Sequence, residues 1–182
     1  KLHSMVLEMH LDFINAGSNI IVTSNFSVRK NRLIEHNKLD SFEFATKQAG
    51  ILAKQAKLTS NKDILIAGSL PTQGTVYFAE INLKEIEIFN NFKQAASILN
   101  PYVDLFYLDV LCSFKEISIA LEAVKEFDKS SLIGVHLNNN GKLPSNEEIE
   151  SIYDIIQNYN CSGIILACVS PEIVNFSLKK LC

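Results

Sequence analysis

Five short apolar runs set the limits on what this chain folds into: NIIVT (19–23), DILIAG (63–68), VDLFYLDV (103–110), LIGVHLN (132–138) and GIILACV (163–169). Each is about five to eight residues long, the length of a strand, and within each the apolar residues run on rather than alternate. Continuous hydrophobicity predicts strands buried on both faces, as in a parallel sheet covered by helices. The stretches between them carry the helix signals. Ser113-x-x-Glu116 forms a capping box ahead of Ile117, Leu121 and Val124, and Ser145-x-x-Glu148 forms another ahead of Ile149, Ile152 and Ile156. Ser170 followed by Pro171 predicts the start of the last helix, and Ala16-Gly17 the end of the first. Polar loops are expected at 58–62 and 138–141. The expected order is one helix and then five strand-helix units, read as a single domain over 1–182. Such an α/β chain fits part of a (β/α)8 barrel or an open doubly wound sheet, and periodicity does not choose between them.

Bulk chemistry removes several classes of function. With 47% hydrophobic and 20% charged residues, the chain has the composition of a soluble globular domain rather than a disordered one. Its net charge of −3, with Lys and Arg scattered, offers no basic stripe for a nucleic acid backbone. No apolar run approaches the roughly 20 residues of a membrane-spanning helix. Four cysteines, at 112, 161, 168 and 182, include no CxxC pair, which fits a reducing cytoplasm. Phosphate-cradling glycine loops are missing: AGSLPTQGTVY matches neither GxGxxG nor GxxxxGK, so a nucleotide site has no support, and neither HExxH nor GxSxG occurs.

In either architecture the C-terminal ends of the strands face the site. The residues expected there are Thr23-Ser24-Asn25, Gly68-Ser69-Leu70-Pro71, Asp109, His136 to Asn138, and Cys168. Cys168 closes a strand two residues before the helix capped by Ser170, where the positive end of the helix dipole favours a thiolate. A buried packing role for a free cysteine is the competing account. Asp109 follows the apolar LFYL and could hold an ammonium, act as a base, or cap the helix near Ser113. His136 and the Asn138–Gly141 loop read as turn-like structure.

Taken in order, four of these stretches resemble the homocysteine S-methyltransferase family. They are His10 through FINAGSNIIVTSNF, then ILIAGSLPTQGTVY, then VDLFYLDV with EISIALEAVKE, and finally ILACVSPEIV. They resemble the family's H-x-x-Y/F segment ending in T-x-N-F, its A-G-S segment ending in Tyr, its D-x-x-x-x-E-T strand with a downstream helix, and its N-C-x-x-P segment. The resemblance implies a (β/α)8 barrel that binds homocysteine as a thiolate on a zinc ion held by three cysteines. It implies methyl transfer to that sulfur, giving methionine, from a small donor such as betaine or S-methylmethionine, or from methylfolate by way of cobalamin. Carried over residue by residue, Cys168 matches the first zinc ligand, and Asp109 stands where a glutamate holds the substrate's amino group. Thr23, Asn25 and Phe26 lie in the segment lining the same pocket. Asp for Glu shortens that reach by one methylene, and Ala167 replaces the usual Asn.

Two family features are absent from the chain: the first strand with its D-G-G-x-G turn, expected before Lys1, and the G-G-C-C strand with the other two zinc cysteines, expected after Cys182. The expectation is therefore an internal barrel fragment, lacking the first strand and the last two, that binds zinc weakly and is inactive alone. Open edges of such a piece predict association into homo-oligomers. The alternative is a non-enzymatic α/β module that binds a small molecule or partner, with Cys168 as packing.

Overall fold

The computed structural model describes residues 2–181 and carries the expected alternation. The elements are α1 (Leu2–Asn15), β1 (Ile20–Val22), α2 (Lys30–Glu35), α3 (Phe42–Ser60), β2 (Leu65–Pro71), α4 (Glu85–Leu99), β3 (Leu105–Leu111), α5 (Phe114–Val124), β4 (Ser131–Val135), α6 (Ile152–Ile156), β5 (Cys161–Leu166) and α7 (Pro171–Leu181). The strands follow in the order β1-β2-β3-β4-β5, parallel where β1 meets β2 and where β4 meets β5. An order without reversal removes the doubly wound alternative, whose switch point requires one. Among the described residues no helix is long and apolar enough to cross a membrane.

Two compact units divide the chain, the first made of residues 1–70 and 94–107 and the second of 71–93 and 108–182. In the first unit α1 packs on α3, burying Ile14 against a face that includes Ala49, Leu52, Ala53 and Ala56. Small residues on α3 let it come close: a Cβ on Gly50 would lie 2.9 Å from the Tyr102 ring. Asp104 just ahead of β3 accepts the Ile66 N–H at 2.7 Å and the Lys57 ammonium at 3.0 Å, so a side chain replaces a ladder carbonyl where β2 begins. In the second unit Phe92, Leu108, Leu111, Ile117, Leu121 and Ile133 are buried to within 1%. Burial by strand refines the sequence reading. β3 is buried throughout, but β1 and β5, at the ends of the order, leave Ile20, Val22 and Ile165 about two-fifths exposed.

Helix termini divide into signals that hold and one that fails. Ser113 caps α5 through its hydroxyl, which accepts the Glu116 N–H at 3.2 Å, and Ser170 accepts the Ile173 N–H at 3.4 Å at the start of α7. Gly17, at φ +108°, ends α1. The Ser145 box does not start a helix. Its hydroxyl lies within hydrogen-bond reach of both the Cys112 carbonyl and the Glu147 carboxylate, Asn146 turns left-handed at φ +73°, and α6 begins only at Ile152 after a short 3-10 turn. Residues 58–60, expected in a loop, complete α3, and the chain turns at Asn61, φ +51°.

His10 carries the first test. It is 2% exposed, its Nε2 has no hydrogen-bond partner, and burial holds its imidazole below the ordinary value of 6.5. The unfolded chain therefore takes up the proton first as pH falls, so stability present above about 6.5 is lost progressively below it. Urea midpoints measured between about pH 7 and about pH 5 should fall more steeply for the natural chain than for His10→Gln. Equal slopes would remove His10 as a contributor.

Candidate functional site

Backbone register decides what stands at the C-terminal ends of the strands, and it moves several expected residues inward. β2 runs to Pro71 rather than Gly68, so Gly68, Ser69 and Leu70 belong to the strand itself; Pro71, lacking an N–H, closes it. β3 continues to Leu111, which places Asp109 inside the strand, 8% exposed, instead of at its mouth. β4 stops at Val135, leaving His136 to Asn138 in the loop that follows. β5 stops at Leu166, so Cys168 lies past its end and is exposed.

In the first unit, Thr23 and Asn25 form a closed set of hydrogen bonds with Ser69. Thr23 Oγ1 donates to Asn25 Oδ1 at 2.6 Å and accepts the Ser69 N–H at 2.9 Å, while Asn25 Nδ2 donates to the Ser69 carbonyl at 2.9 Å. Both side chains are at most 2% exposed, so they fix the turn after β1 against β2. Phe26, half-buried, follows them with the Arg29 guanidinium 5.5 Å from its ring centroid, within cation–π range.

In the second unit, a group of side chains surrounds the ends of β3, β4 and β5. The backbone is bent to make it: Tyr77, Val110 and Cys168 have φ of +74°, +60° and +57°. A β-branched residue at positive φ is a true outlier, and such strain gathers at functional sites. Val110 immediately follows Asp109, whose carbonyl accepts the Thr72 N–H at 3.0 Å. Cys168 lies between Ala167, whose N–H donates to the Val135 carbonyl at 2.8 Å, and the helix opened by Ser170 and Pro171. The neighbouring Cys168 side chain pushes the Tyr77 phenol pKa up. His136 stacks on Tyr77 with ring centroids 4.5 Å apart and planes at 44°, and its Nδ1 lies 3.4 Å from the Ala167 carbonyl.

Under this edge lies a buried carboxylate that the sequence assigned only to helix capping. Glu116, 1% exposed, accepts the Thr72 hydroxyl at 3.0 and 3.1 Å and the Gln73 N–H at 2.6 Å. It therefore fixes the start of the long connection, residues 72–84, that carries Tyr77. A tyrosine in a connection without apolar periodicity was the available signal for that segment's role.

The cysteines separate clearly. Cys112 is fully buried, its Sγ 3.7 Å from the Val110 carbonyl, and burial together with the Glu116 charge pushes its thiol up to about 12. Cys161 opens β5, at the opposite end of the strand from Cys168, and burial raises its thiol as well. Among the described residues no three His, Cys, Asp or Glu side chains are placed to hold a metal ion. Cys168 fits as one soft donor, and residues 2–181 by themselves do not fit a complete three-thiolate centre.

Comparison with known proteins agrees with this arrangement of strands. The family described as homocysteine S-methyltransferase matches residues 2–182. The solved structure of the homocysteine methyltransferase MmuM from Escherichia coli in its metallated form is similar with a TM-score of 0.85 and 16% identity, over 96% of this chain and 66% of that one. Its apo form gives 0.78 and 16%, over 98% of this chain and 66% of that one. At that identity the likeness is one of fold, and the chain spans just under two thirds of those proteins. Among curated proteins no sequence matches significantly.

Proposed function

The chain belongs to the homocysteine S-methyltransferase family, and from that premise we propose that the encoded protein transfers a methyl group from a small donor to the sulfur of homocysteine, giving methionine. The observation that carries the reading is Cys168. It is an exposed thiol just past the end of β5, in a left-handed backbone conformation, while Cys112 is buried and Cys161 half-buried, each with its thiol pKa raised by burial.

Cys168 then serves as one thiolate ligand of a zinc ion, with the remaining ligands supplied by residues other than 2–181. Zinc suits the reaction because it keeps a thiol ionised at neutral pH. That the E. coli relative has a metallated form supports a metal in this role. Asp109 holds the ammonium of the amino acid: a carboxylate in a buried strand is a strong partner for a cation, because the surroundings do little screening. Its position before the strained Val110 fixes where that charge stands. Thr23, Asn25 and Phe26 are assigned to substrate binding, the first two through the rigid turn they make with Ser69. The protein works in the cytoplasm, where Cys168 stays reduced. The isolated chain, with Ile20, Val22 and Ile165 exposed on its outermost strands, self-associates.

The test is methionine formation by the metal-loaded encoded protein, given homocysteine and each donor class in turn. Asp109→Asn keeps the shape and removes the charge. It should raise the KM for homocysteine by about tenfold or more, the scale of one charge-assisted hydrogen bond, with a smaller change in kcat. No methionine with any donor, or an unchanged KM, would remove the respective assignment. The isolated 182-residue chain should bind zinc only weakly; tight stoichiometric binding abolished by Cys168→Ala would show that the ligand count is wrong.

A further inference from the structure

α1 carries apolar residues on two faces, and the chain covers only one of them. Ile14 is buried where α1 packs on α3, while Leu2, Met5, Met9 and Phe13, at helical spacings of three and four, are exposed. One apolar face suffices to dock a surface helix, so a second, uncovered one marks a contact surface. That stripe runs on to Ile20 and Val22 of β1. Between the two elements lies a cavity of about 250 Å3, lined by Met9, His10, Phe13, Ser18 and β1 itself. β1 pairs with β2 on one side, and among the described residues no strand lies on its other side. His10 stands in the cavity wall, and its buried Nε2 is a polar group that the chain leaves without a partner there. All of these residues belong to the first unit.

We propose that the outer face of α1 and β1 is the dimer interface of this chain, occupied by a second copy of itself about a two-fold axis. The inference deepens the self-association proposed above by assigning it to one surface. An axis perpendicular to the sheet sets β1 antiparallel to β1 of the second copy, so each free edge supplies the main-chain groups that the other lacks. The same axis lays the two α1 helices side by side, antiparallel and on one side of the extended sheet. The stripe suits that reversal, because from either end its apolar residues recur at steps of three or four, which sets Met5 opposite Met9 and Leu2 opposite Phe13. Main chain of the second copy, arriving at the β1 edge, gives His10 Nε2 its missing partner. Leu2, Met5, Met9, Phe13, Ile20 and Val22 are between 38% and 77% exposed and together present on the order of 500 Å2 of apolar surface, the size of patch that marks an interface. With the strand edge and the polar rim added, each copy approaches the roughly 800 Å2 that one partner buries in a stable complex. Pairing β1 with β5 of another copy would be head-to-tail and grow without limit, whereas the two-fold contact closes at two.

The experiment is analytical ultracentrifugation of the 182-residue chain across a wide range of concentration, with amide hydrogen exchange on the same samples. The expected result is a monomer–dimer equilibrium that stops at two, and exchange at Ile20–Val22 that slows as the dimer forms. Phe13→Lys replaces a side chain that is already exposed and enters a two-fold contact twice, so it should raise the Kd by about 100-fold or more. Ile86→Lys, at an equally exposed apolar position in the second unit, should leave the Kd unchanged. If circular dichroism shows that Phe13→Lys is unfolded, Met5→Lys takes its place and the exchange measurement on the natural chain still decides. A dimer whose Kd ignores the stripe variant, or whose β1 exchange is independent of concentration, overturns this interface while self-association stands. Growth beyond two means head-to-tail pairing and overturns it as well. A monomer at every concentration overturns both the interface and self-association, and leaves the methyl-transfer reading to its own test.

Discussion

Glu116→Ala should destabilise the chain by about 3 kcal/mol, the largest stability effect expected of a single polar substitution here. The carboxylate is 1% exposed and accepts the hydroxyl of Thr72, itself fully buried, and the N–H of Gln73, 8% exposed. Removing it leaves two buried donors without their acceptor, at about 1–3 kcal/mol each, with part recovered if water enters the space. Glu116→Gln retains one carbonyl acceptor and should cost about 1 kcal/mol. Urea unfolding reads both, as a lower midpoint with unchanged slope. A loss below about 1 kcal/mol for the alanine variant would mean that the connection after β2 is held by other contacts. Gly74 and Gln73 follow the same anchor, through the Gly74 N–H to Thr72 Oγ1 at 3.3 Å and Gln73 Nε2 to the Pro71 carbonyl at 2.8 Å.

The largest effect on activity belongs to Cys168. In the encoded protein Cys168→Ser should lower kcat/KM by about 100-fold or more, corresponding to about 3 kcal/mol of lost metal-ion stabilisation, because a hydroxyl is a harder and more basic donor than a thiolate. Metal content should fall with activity, while thermal stability stays close to that of the natural chain, since the side chain is exposed. Cys161→Ser is the matched control: it lies at the other end of β5 from Cys168 and should leave kcat/KM unchanged. Full activity and full metal content in Cys168→Ser would end its assignment as a ligand.

Much of the fold could be read directly. Strand-length apolar runs without alternation reported burial on both faces, which is how β3 came out, and Ser113, Ser170 and Gly17 marked helix ends through bonds that involve only near neighbours. The failures share a cause. Ser145 carries the same capping signature as Ser113, but distant partners compete for its hydroxyl: the Cys112 carbonyl, 33 residues away in sequence, takes it at 3.0 Å. The boundaries of β2 and β3 shifted toward their C-termini because a strand ends where its neighbour's backbone stops pairing, not where the apolar run stops. Glu116 illustrates both cases, since its amide is capped locally by Ser113 while its carboxylate is claimed by residues 72 and 73.

By itself, then, the sequence determined the alternation of strands and helices, the local caps, and the set of polar residues gathered near the strand ends, because these depend on periodicity and on hydrogen bonds a few residues long. It also singled out Cys168, by position and by resemblance. Tertiary structure decided the unreversed strand order, the withdrawal of Cys112 into the core, the inward placement of Asp109, and the stacking of Tyr77 on His136. Those depend on register and on which distant partner satisfies a buried polar group, and both are set only when the strands pair.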